Sequence, residues 1–352
     1  MKKTLLLLLL VTSQFIIAQM PAYYNDVTIN LTGMDLFSEL NQKVTITHTT
    51  LIPYGWTAQQ QADVNPQNNT KVLLIYGWEN GTDGNVQNDR ERGINSNSGD
   101  NGDWNREHVF AIALANPKLE TSPAGPGTDL HNLRPSDVQW NAARGSLKFA
   151  AGSGNSGTSN GGWYPGDEWK GDVARIIMYM YIRYDGNGSS LTETQCYPIN
   201  VGIGTVKSID NKMVDLFLQW NAEDPVSDVE LQRNPVSVTM QGNRNPFIDN
   251  PAFATRIWGG TQAEDTWGTL AVSDFTFTDF KVYPNPSNTH SINISLPNQQ
   301  EATISLYNIS GQLIRQQKMT ATSTELTNLP TGFYMLKMTS NTQTIVKKVI
   351  VN

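Results

Sequence analysis

Residues 103–110 read DWNREHVF, and residues 128–145 read TDLHNLRPSDVQWNAARG. The first segment is expected to form a short strand that brings Glu107 and His108, side by side, to its end. The preceding run NSNSGDNGD, residues 95–103, has the composition of a flexible loop. Functional residues are often carried beside such loops. Either the Glu-His pair is part of a catalytic site, or His108 is an ordinary histidine on a polar loop.

The second segment predicts a strand followed by a helix. Leu133 and Arg134 are expected to end a short strand, because the proline that follows cannot continue a central strand. Ser136 has a side-chain oxygen suited to capping a helix, and Asn141 and Arg144 then follow at helical spacing. Together the two segments predict a strand, a long loop, a second strand and a helix, which is a ββα unit.

The residue types in this unit match the needs of phosphodiester hydrolysis. Histidine has an ordinary pKa of about 6.5, so a neutral His108 could take a proton from water. Glu107 and Asn141 offer oxygen ligands, which suit the hard cations Mg²⁺ and Ca²⁺. An arginine can contact phosphate through two N–H groups at once. The set predicts a general base, a divalent cation and a phosphate contact within one site.

These segments resemble the endonuclease I family of secreted or periplasmic non-specific nucleases, which have a ββα-metal active site. Further matching segments are WYPGDEWKGDVARIIMYMYIRY (163–184), WNAEDPVSDVELQRN (220–234) and NRNPFIDNP (243–251), so that the resemblance covers most of residues 22–260. The resemblance implies an α+β nuclease domain that cleaves DNA and RNA with little sequence preference. It also implies a single Mg²⁺ as cofactor, with Ca²⁺ or Mn²⁺ as alternatives.

Matched residue by residue, the resemblance assigns roles to five side chains. His108 matches the general base of the family, Glu107 matches the metal-binding carboxylate, and Asn141 matches the second metal ligand. Arg134 and Arg144 fall in the same motif and are candidates for contacts with phosphate. The role of Arg106 stays open between a phosphate contact and a solvated strand residue.

Three further residues, Asp129, His131 and Asn132, are candidates for supporting the site from behind the metal ligands. Turn formation and ordinary hydrogen bonding are the competing interpretations for Asp129 and Asn132. The sequence also departs from the family. Some members carry an acidic residue near the position of Gly127, and some are braced by several disulfides, which a chain with one cysteine, Cys196, cannot form.

The beginning of the chain, MKKTLLLLLLVTSQFIIAQ, is typical of a cleaved export signal: two lysines, a short apolar run and a small residue near the expected cut. No run of about 20 apolar residues suggests a membrane span. The formal charge is −7, or −9 without Lys2 and Lys3. An acidic chain of this kind argues against coating of nucleic acid by a broad basic face.

The last 70 or so residues change character, with short alternating runs between turn signals that predict an antiparallel β-sandwich. They resemble the type A sorting domain of type IX secretion. The segments that carry this resemblance are YPNP (283–286), LYNISGQLI (306–314), LPTGFYMLKM (329–338) and KKVIVN (347–352). A carbohydrate-binding or adhesive sandwich is the alternative, although few aromatic residues are present to stack on sugars. The resemblance implies that the type IX secretion machinery is a partner.

The expected organisation has four parts: a signal peptide at 1–19, a catalytic domain at 20–267, a linker at 268–280 and a sorting domain at 281–352. The fold class is α+β, with a mixed nuclease domain followed by a small antiparallel sandwich. We expect a monomer that is secreted or held at the cell surface. Two other functions remain open, a non-catalytic exported binding protein with a nuclease-like shell and a phosphodiesterase for small or lipid substrates.

Overall fold

The structure is a computed structural model of the chain, and it describes residues 19–185, 194–268, 281–295, 302–319, 321–339 and 344–352. The chain divides into two compact units, residues 1–270 and 271–352. The predicted signal peptide, apart from residue 19, and the predicted linker, apart from residue 268, lie outside the described residues. Within the described ranges, no helix has the length and apolar character needed to cross a membrane.

The N-terminal unit mixes helices with short strands. Its helices are α1 Gly33–Thr47, α2 Thr57–Ala62, α3 Val138–Arg144, α4 Lys170–Arg183, α5 Pro198–Val201, α6 Asp215–Glu223, α7 Asp228–Gln241, α8 Pro246–Asp249 and α9 Ala252–Trp258. Its strands are β1 Val64–Asn65, β2 Asn68–Leu73, β3 Glu91–Gly93, β4 Trp104–His108, β5 Leu133–Asp137, β6 Gly157–Ser159 and β7 Gly162–Tyr164. They form a sheet β1-β2-β3 and two two-stranded sheets, β4-β5 and β6-β7.

Helix α4 lies at the centre of this unit. Every residue from 171 to 183 is buried, and the helix contacts α1, α6 and α8. A helix that is buried on all sides needs either apolar side chains or paired polar ones. The sequence provides both, because Val173, Ile177 and Met180 pack in the core while Asp172 and Arg175 are paired with other charged residues. The recurrence of Val173, Ile177 and Met180 at three- and four-residue steps predicts a helix over residues 171–184, and the structure confirms it.

The predicted ββα unit is present. Strands β4 and β5 pair antiparallel, with His108 opposite Leu133, and α3 follows β5 directly. Two details of the prediction were wrong. The second strand does not end at Arg134 but continues through Pro135 to residue 137, and the helix is capped by Asp137, not by Ser136.

The continuation of β5 through Pro135 has a simple geometric cause. The carbonyl of Pro135 accepts a hydrogen bond from the backbone N–H of Ile75, outside the β4-β5 pair. The N–H and C=O of a strand residue point to the same side, so the missing donor of Pro135 faces away from β4. The proline therefore removes no hydrogen bond between the two strands.

The compact apolar run VLLIYGW, residues 72–78, predicts one buried strand, and the structure confirms this prediction only in part. Strand β2 ends at Leu73, although residues 72–76 are buried. Tyr76 has a φ of 75°, in the left-handed region that side chains other than glycine rarely adopt. A strand cannot include such a residue, and the chain turns there, with the N–H of Gly77 donating to the carbonyl of Leu74 at 3.1 Å.

The C-terminal unit is the predicted antiparallel sandwich. Its strands are β8 Lys281–Tyr283, β9 Ile292–Ser295, β10 Ala302–Asn308, β11 Leu313–Met319, β12 Ser323–Leu326, β13 Gly332–Thr339 and β14 Thr344–Val351. They form two sheets, β11-β10-β13-β14 and β12-β9-β8. Ile292 and Ile294 of one sheet pack with Leu306 and Leu336 of the other in a single apolar core. The alternation of the sequence thus provides an inner face for each sheet.

Candidate active site

Strand β4 carries the Glu-His pair, and successive side chains of a strand point to opposite faces. Glu107 therefore shares a face with Asn105, whereas His108 shares the other face with Arg106. Both members of the pair are largely buried, with 2% of Glu107 and 6% of His108 exposed. The end of β4 thus brings two different kinds of chemistry to its two faces.

Glu107 is held by two neighbours through one of its oxygens. The Tyr76 hydroxyl donates a hydrogen bond to Oε1 at 2.9 Å, and Nη1 of Arg144 lies 3.3 Å from the same oxygen. Burial raises the pKa of Glu107, while Arg144 and the Tyr76 hydrogen bond oppose that rise. Because both contacts engage Oε1, Oε2 is the oxygen more open to a further ligand.

Asn141 projects from α3 towards the same face of β4. Its Nδ2 donates a hydrogen bond of 2.7 Å to Oδ1 of Asn105. Asn105 lies two residues before Glu107, so this hydrogen bond ties the amide of Asn141 to the face that carries the carboxylate. Because Nδ2 of Asn141 already donates this hydrogen bond, Oδ1 is the atom of the amide that remains as an acceptor.

His108 is fixed in one tautomer by the backbone. Its Nε2 lies 2.7 Å from the carbonyl oxygen of Gly127. A carbonyl can only accept, so Nε2 carries the proton and Nδ1 carries the free electron pair. The ring stacks on Tyr54 with centroids 5.6 Å apart. Burial lowers the pKa of His108 to about 4, so the imidazole is neutral at neutral pH.

Gly127 contributes to this site through its backbone. A Cβ atom at this position would lie 2.2 Å from the carbonyl oxygen of Glu120. Only glycine allows this close approach of two chain segments. The segment is thereby placed so that its carbonyl reaches His108.

Tyr76 is a site residue that the sequence prediction missed. Its hydroxyl reaches Glu107, and its backbone carbonyl accepts a hydrogen bond of 2.6 Å from Oγ of Ser156. The only signal in the sequence is the Tyr-Gly pair at 76–77, where a strand-like run ends at a turn residue. That signal marks a turn but does not indicate which side chain the tyrosine contacts.

Arg144 is buried, with 1% of its surface exposed. Besides its contact with Glu107, it donates hydrogen bonds to the carbonyls of His108 at 3.1 Å and Val109 at 2.8 Å. These contacts hold the end of β4 and the carboxylate together. The predicted contact of Arg144 with phosphate stays a prediction, and its observed contacts are with the protein.

Arg134 lies elsewhere, and its predicted role needs a correction. Its guanidinium is fully buried, with Nε 2.8 Å from Oδ1 of Asp63 and Nη1 2.9 Å from Oδ2 of Asp172. A phosphate cannot reach a guanidinium that is enclosed and shared by two carboxylates. Arg134 therefore stabilises the contact between α2, β5 and α4 and is not retained as a phosphate ligand.

The three candidate supporting residues have different positions. Asn132 braces the residues that follow His108, because its Oδ1 accepts from the N–H of Phe110 at 2.7 Å and its backbone O accepts from the N–H of Val109 at 3.1 Å. Asp129 and His131 belong instead to a buried group with Tyr179, whose ring lies 4.2 Å from that of His131. None of the contacts among the described residues joins Asp129 or His131 directly to His108.

A divalent cation would find oxygen donors in this site. No group of three or more His, Cys, Asp or Glu residues that could hold a metal occurs in the described part of the chain. Glu107 and Asn141 are a smaller set, a carboxylate and an amide oxygen brought to the same face of β4. Mg²⁺ is commonly bound by one or two carboxylates together with water and phosphate, so the donors fit such an ion.

The geometry defines a class, a nuclease with a ββα active-site unit, and comparisons with known proteins agree. The Endonuclease I family model matches residues 32–252, and the chain belongs to this family. A second model, the secretion system C-terminal sorting domain, matches residues 281–352. The protein is a secreted nuclease, a hydrolase that acts on phosphodiester bonds, with a tail that implies export by type IX secretion to the cell surface or beyond.

Two relatives carry the description extracellular ribonuclease. The protein of Bacillus subtilis (strain 168) is 38% identical over 239 residues, which cover 64% of this chain and 75% of the relative. The protein of Bacillus amyloliquefaciens is 39% identical over 210 residues, covering 58% of this chain and 66% of the relative. A solved structure of PorZ, a surface component of the type-IX secretion system of Porphyromonas gingivalis, is similar over 24% of this chain and 13% of that chain, with 18% identity and a TM-score of 0.21.

Proposed function

We propose that the protein cleaves DNA and RNA internally by metal-assisted hydrolysis, with His108 as general base and Glu107 and Asn141 as ligands of a single Mg²⁺. Ca²⁺ and Mn²⁺ are alternatives for the ion. The observation that carries the proposal is the end of β4, where a neutral, oriented imidazole adjoins a carboxylate whose face also receives the amide of Asn141. The Gly127 carbonyl orients the base, and the Asn105–Asn141 hydrogen bond aligns the donors.

The chemistry of the donor set supports Mg²⁺ over a softer ion. Glu107 contributes a carboxylate and Asn141 an amide oxygen, both hard ligands. When bound, the ion supplies positive charge to the non-bridging and leaving oxygens of the phosphodiester. Arg144 and the Tyr76 hydroxyl hold the carboxylate from the protein side, so that it need not reorganise when a ligand arrives.

His108 performs the proton transfer. With Nε2–H donated to the Gly127 carbonyl, Nδ1 is free to accept a proton from the attacking water. The carbonyl then stabilises the imidazolium that forms, since it accepts a hydrogen bond from the same N–H. Stacking against Tyr54 keeps the ring from rotating away. General base catalysis of this kind contributes about 10² to 10⁴ in rate.

The substrate range rests on two lines of support. Both curated relatives are described as ribonucleases, which supports RNA, and the ββα-metal resemblance supports DNA with little sequence preference. Because the overall charge is −7, we expect the protein to attract the nucleic acid only at the site itself. Binding should therefore weaken steeply as salt rises.

We also propose the form of the mature protein. Cleavage of the signal peptide after residue 19 leaves a catalytic domain at 20–267, a linker at 268–280 and a sorting domain at 281–352. The protein acts as a monomer, because the proposed residues all come from one catalytic domain. Mass spectrometry of the secreted protein and sedimentation in solution would check the boundaries and the state of assembly.

Degradation of a supercoiled plasmid and of an RNA transcript, with Mg²⁺ or with EDTA, tests the proposal. Wild-type protein should cleave both with Mg²⁺ and neither with EDTA, and His108→Ala should lose activity. His290→Ala is the matched control, because His290 lies in the sorting domain and should leave activity unchanged. Cleavage in EDTA, or full activity of His108→Ala, would contradict the mechanism.

A further inference from the structure

Arg106 lies between two aromatic rings beside His108. Its guanidinium carbon is 3.6 Å from the ring centroid of Tyr54 and 3.7 Å from that of Trp56. Tyr54 is also stacked on His108, and Trp56 meets Trp104 edge to face. The four side chains Trp56, Arg106, Tyr54 and His108 form a continuous stack, which we call the Arg106 stack.

The guanidinium of Arg106 is only partly used by the protein. Nη1 donates a hydrogen bond of 3.1 Å to the backbone carbonyl of Tyr54. Nε is buried and has no hydrogen-bond partner, and within the described part of the chain no carboxylate lies at ion-pair distance from Arg106. A buried donor without an acceptor costs about 1–3 kcal/mol. Arg106 as a whole is only half-buried, so the stack holds a positive charge whose Nη2 donor has no partner among the described residues and is left for an acceptor from outside.

We propose that Arg106 binds a backbone phosphate of the nucleic acid next to the scissile bond, on the His108 face of β4. This subsite rests on the proposed function for the identity of its ligand. A charged guanidinium donor such as Nη2 forms a strong hydrogen bond to a phosphate oxygen. Arg106 is two residues from His108 on the same strand face, so the bound phosphate lies on the side of β4 that carries the general base.

The closed faces of the stack favour phosphate over a nucleotide base. A base could bind by stacking on an aromatic or guanidinium plane. The Arg106 guanidinium already lies over the rings of both Tyr54 and Trp56, and Tyr54 is also stacked on His108. Recognition must therefore occur in the plane of the guanidinium. The subsite is accordingly expected to be independent of sequence, as a phosphate contact is.

Binding of a fluorescently labelled oligonucleotide, followed by anisotropy in EDTA, tests this subsite without catalysis. Arg106→Gln should raise Kd about tenfold, a typical loss for one charged hydrogen-bonded contact. It should also lower the slope of log Kd against log salt by about 0.7 for a single strand. Arg106→Lys should show an intermediate Kd, because the charge remains while the planar fork is lost. Unchanged affinity and slope in Arg106→Gln would overturn the proposal.

Lys212→Gln is the matched control, because Lys212 also lies over an aromatic ring, that of Tyr197, at 4.4 Å. It loses the same charge and should bind as wild type. Equal weakening in both variants would show a general effect of charge and overturn the subsite. If Arg106→Gln fails to fold, the affinity of Arg106→Lys tests the proposal instead. Wild-type affinity in Arg106→Lys would contradict a phosphate contact by the guanidinium, and weaker affinity with an unchanged Tm would support it.

The outcome is separable from that of the proposed mechanism. Binding that depends on Arg106 in a protein that does not cleave would leave the subsite standing while the catalytic proposal fails. If Arg106→Gln cleaves in a metal-dependent way with an unchanged KM, the subsite is wrong and the proposed catalytic mechanism still stands. In the expected result, KM rises about tenfold and kcat changes little, since a phosphate beside the reacting bond is bound alike before and during reaction.

Discussion

Two histidines of the catalytic domain, His108 and His131, are both buried, and burial lowers the pKa of each, to about 4 and about 3 respectively. Their neighbours differ. His108 is oriented by one carbonyl and leaves Nδ1 as an acceptor. His131 packs on Tyr179 within a group centred on Asp129, in which both carboxylate oxygens are hydrogen-bonded within the protein. Both ring nitrogens of His131 are also without a hydrogen-bond partner among the described residues. What separates the two histidines is that His108 adjoins the oxygen donors of Glu107 and Asn141, whereas His131 lies among the side chains around Asp129.

We call the second group the Asp129 cluster, and its contacts are all internal. Oδ2 of Asp129 accepts hydrogen bonds of 2.8 Å from the hydroxyls of Tyr179 and Tyr184. Oδ1 accepts from Nε2 of Gln241 at 2.9 Å and from the N–H of His131 at 2.9 Å. Satisfied networks of this kind rigidify a core. We therefore assign stability to the Asp129 cluster and chemistry to the His108 site.

The largest effect is expected from exchanging the two histidines for alanine one at a time. His108→Ala should reduce kcat of the folded protein by about 10² to 10⁴, the usual contribution of a general base. His131→Ala should lower Tm because it leaves a cavity among buried side chains, while the folded fraction keeps its kcat. Plasmid cleavage and thermal unfolding of both variants measure this. A large loss of kcat in folded His131→Ala would contradict the assignment of catalysis to His108 and of stability to His131.

The next largest effect concerns the metal requirement. Glu107→Gln and Asn141→Ala should each raise the Mg²⁺ concentration for half-maximal activity about tenfold or more, since each removes an oxygen ligand. Glu223→Gln is the control, because that carboxylate is exposed and pairs with Lys170. Titration of activity with Mg²⁺ measures the shift. An unchanged requirement in Glu107→Gln would contradict the assignment.

The Asp129 cluster should be visible in the pH dependence of stability. Burial would raise the pKa of Asp129, but His48, His131 and the hydrogen bonds from Gln241 and Tyr179 outweigh burial and lower it to about 2. A folded-state pKa below the unfolded value stabilises the protein above pH 4 or so, and this stability is lost as pH falls through about 2. The contribution is about 2 kcal/mol.

Asp129→Asn removes this titration. It should lower the free energy of unfolding at pH 6, and the difference from wild type should shrink between about pH 4 and pH 2. Urea unfolding at several pH values measures both. A difference from wild type that is the same at pH 6 and pH 2.5 would show that the carboxylate charge is not what stabilises the cluster.

The smallest effect is expected from Tyr76→Phe. The change removes one hydroxyl that donates to Glu107 and keeps the ring in the core. Loss of one hydrogen bond to a charged group should lower kcat/KM by a factor of roughly 5 to 10, accompanied by a modest rise in the Mg²⁺ requirement. Tyr164→Phe serves as a control, because its hydroxyl bonds to Asp167 and not to Glu107. Equal effects in both variants would show that the Glu107 contact is not specific.

The sequence was sufficient for features that depend on local pattern. The ββα unit, helix α4 and the sandwich follow from alternation, helical periodicity and turn residues, which act within a few positions. The candidate pair Glu107 and His108 was accessible for the same reason. Side-chain identity and spacing within one segment carry this information.

The features that were missed depend on partners far apart in the chain. Tyr76 contacts Glu107 across 31 positions, and its positive φ is set by packing. Arg134 is buried because Asp63 and Asp172 lie beside it, and a motif cannot reveal whether an arginine faces substrate or core. Pro135 continues β5 because its missing donor faces away from β4, which depends on the position of Ile75.

The central claim is that Glu107 and Asn141 hold the cation beside His108. Crystals of His108→Ala protein with Mn²⁺ and a short oligonucleotide, measured for anomalous scattering, test it directly. We expect one strong Mn²⁺ peak bonded to a carboxylate oxygen of Glu107 and to Oδ1 of Asn141, with a phosphate oxygen as a further ligand. A peak bonded to neither residue, with the oligonucleotide in place, would contradict the account.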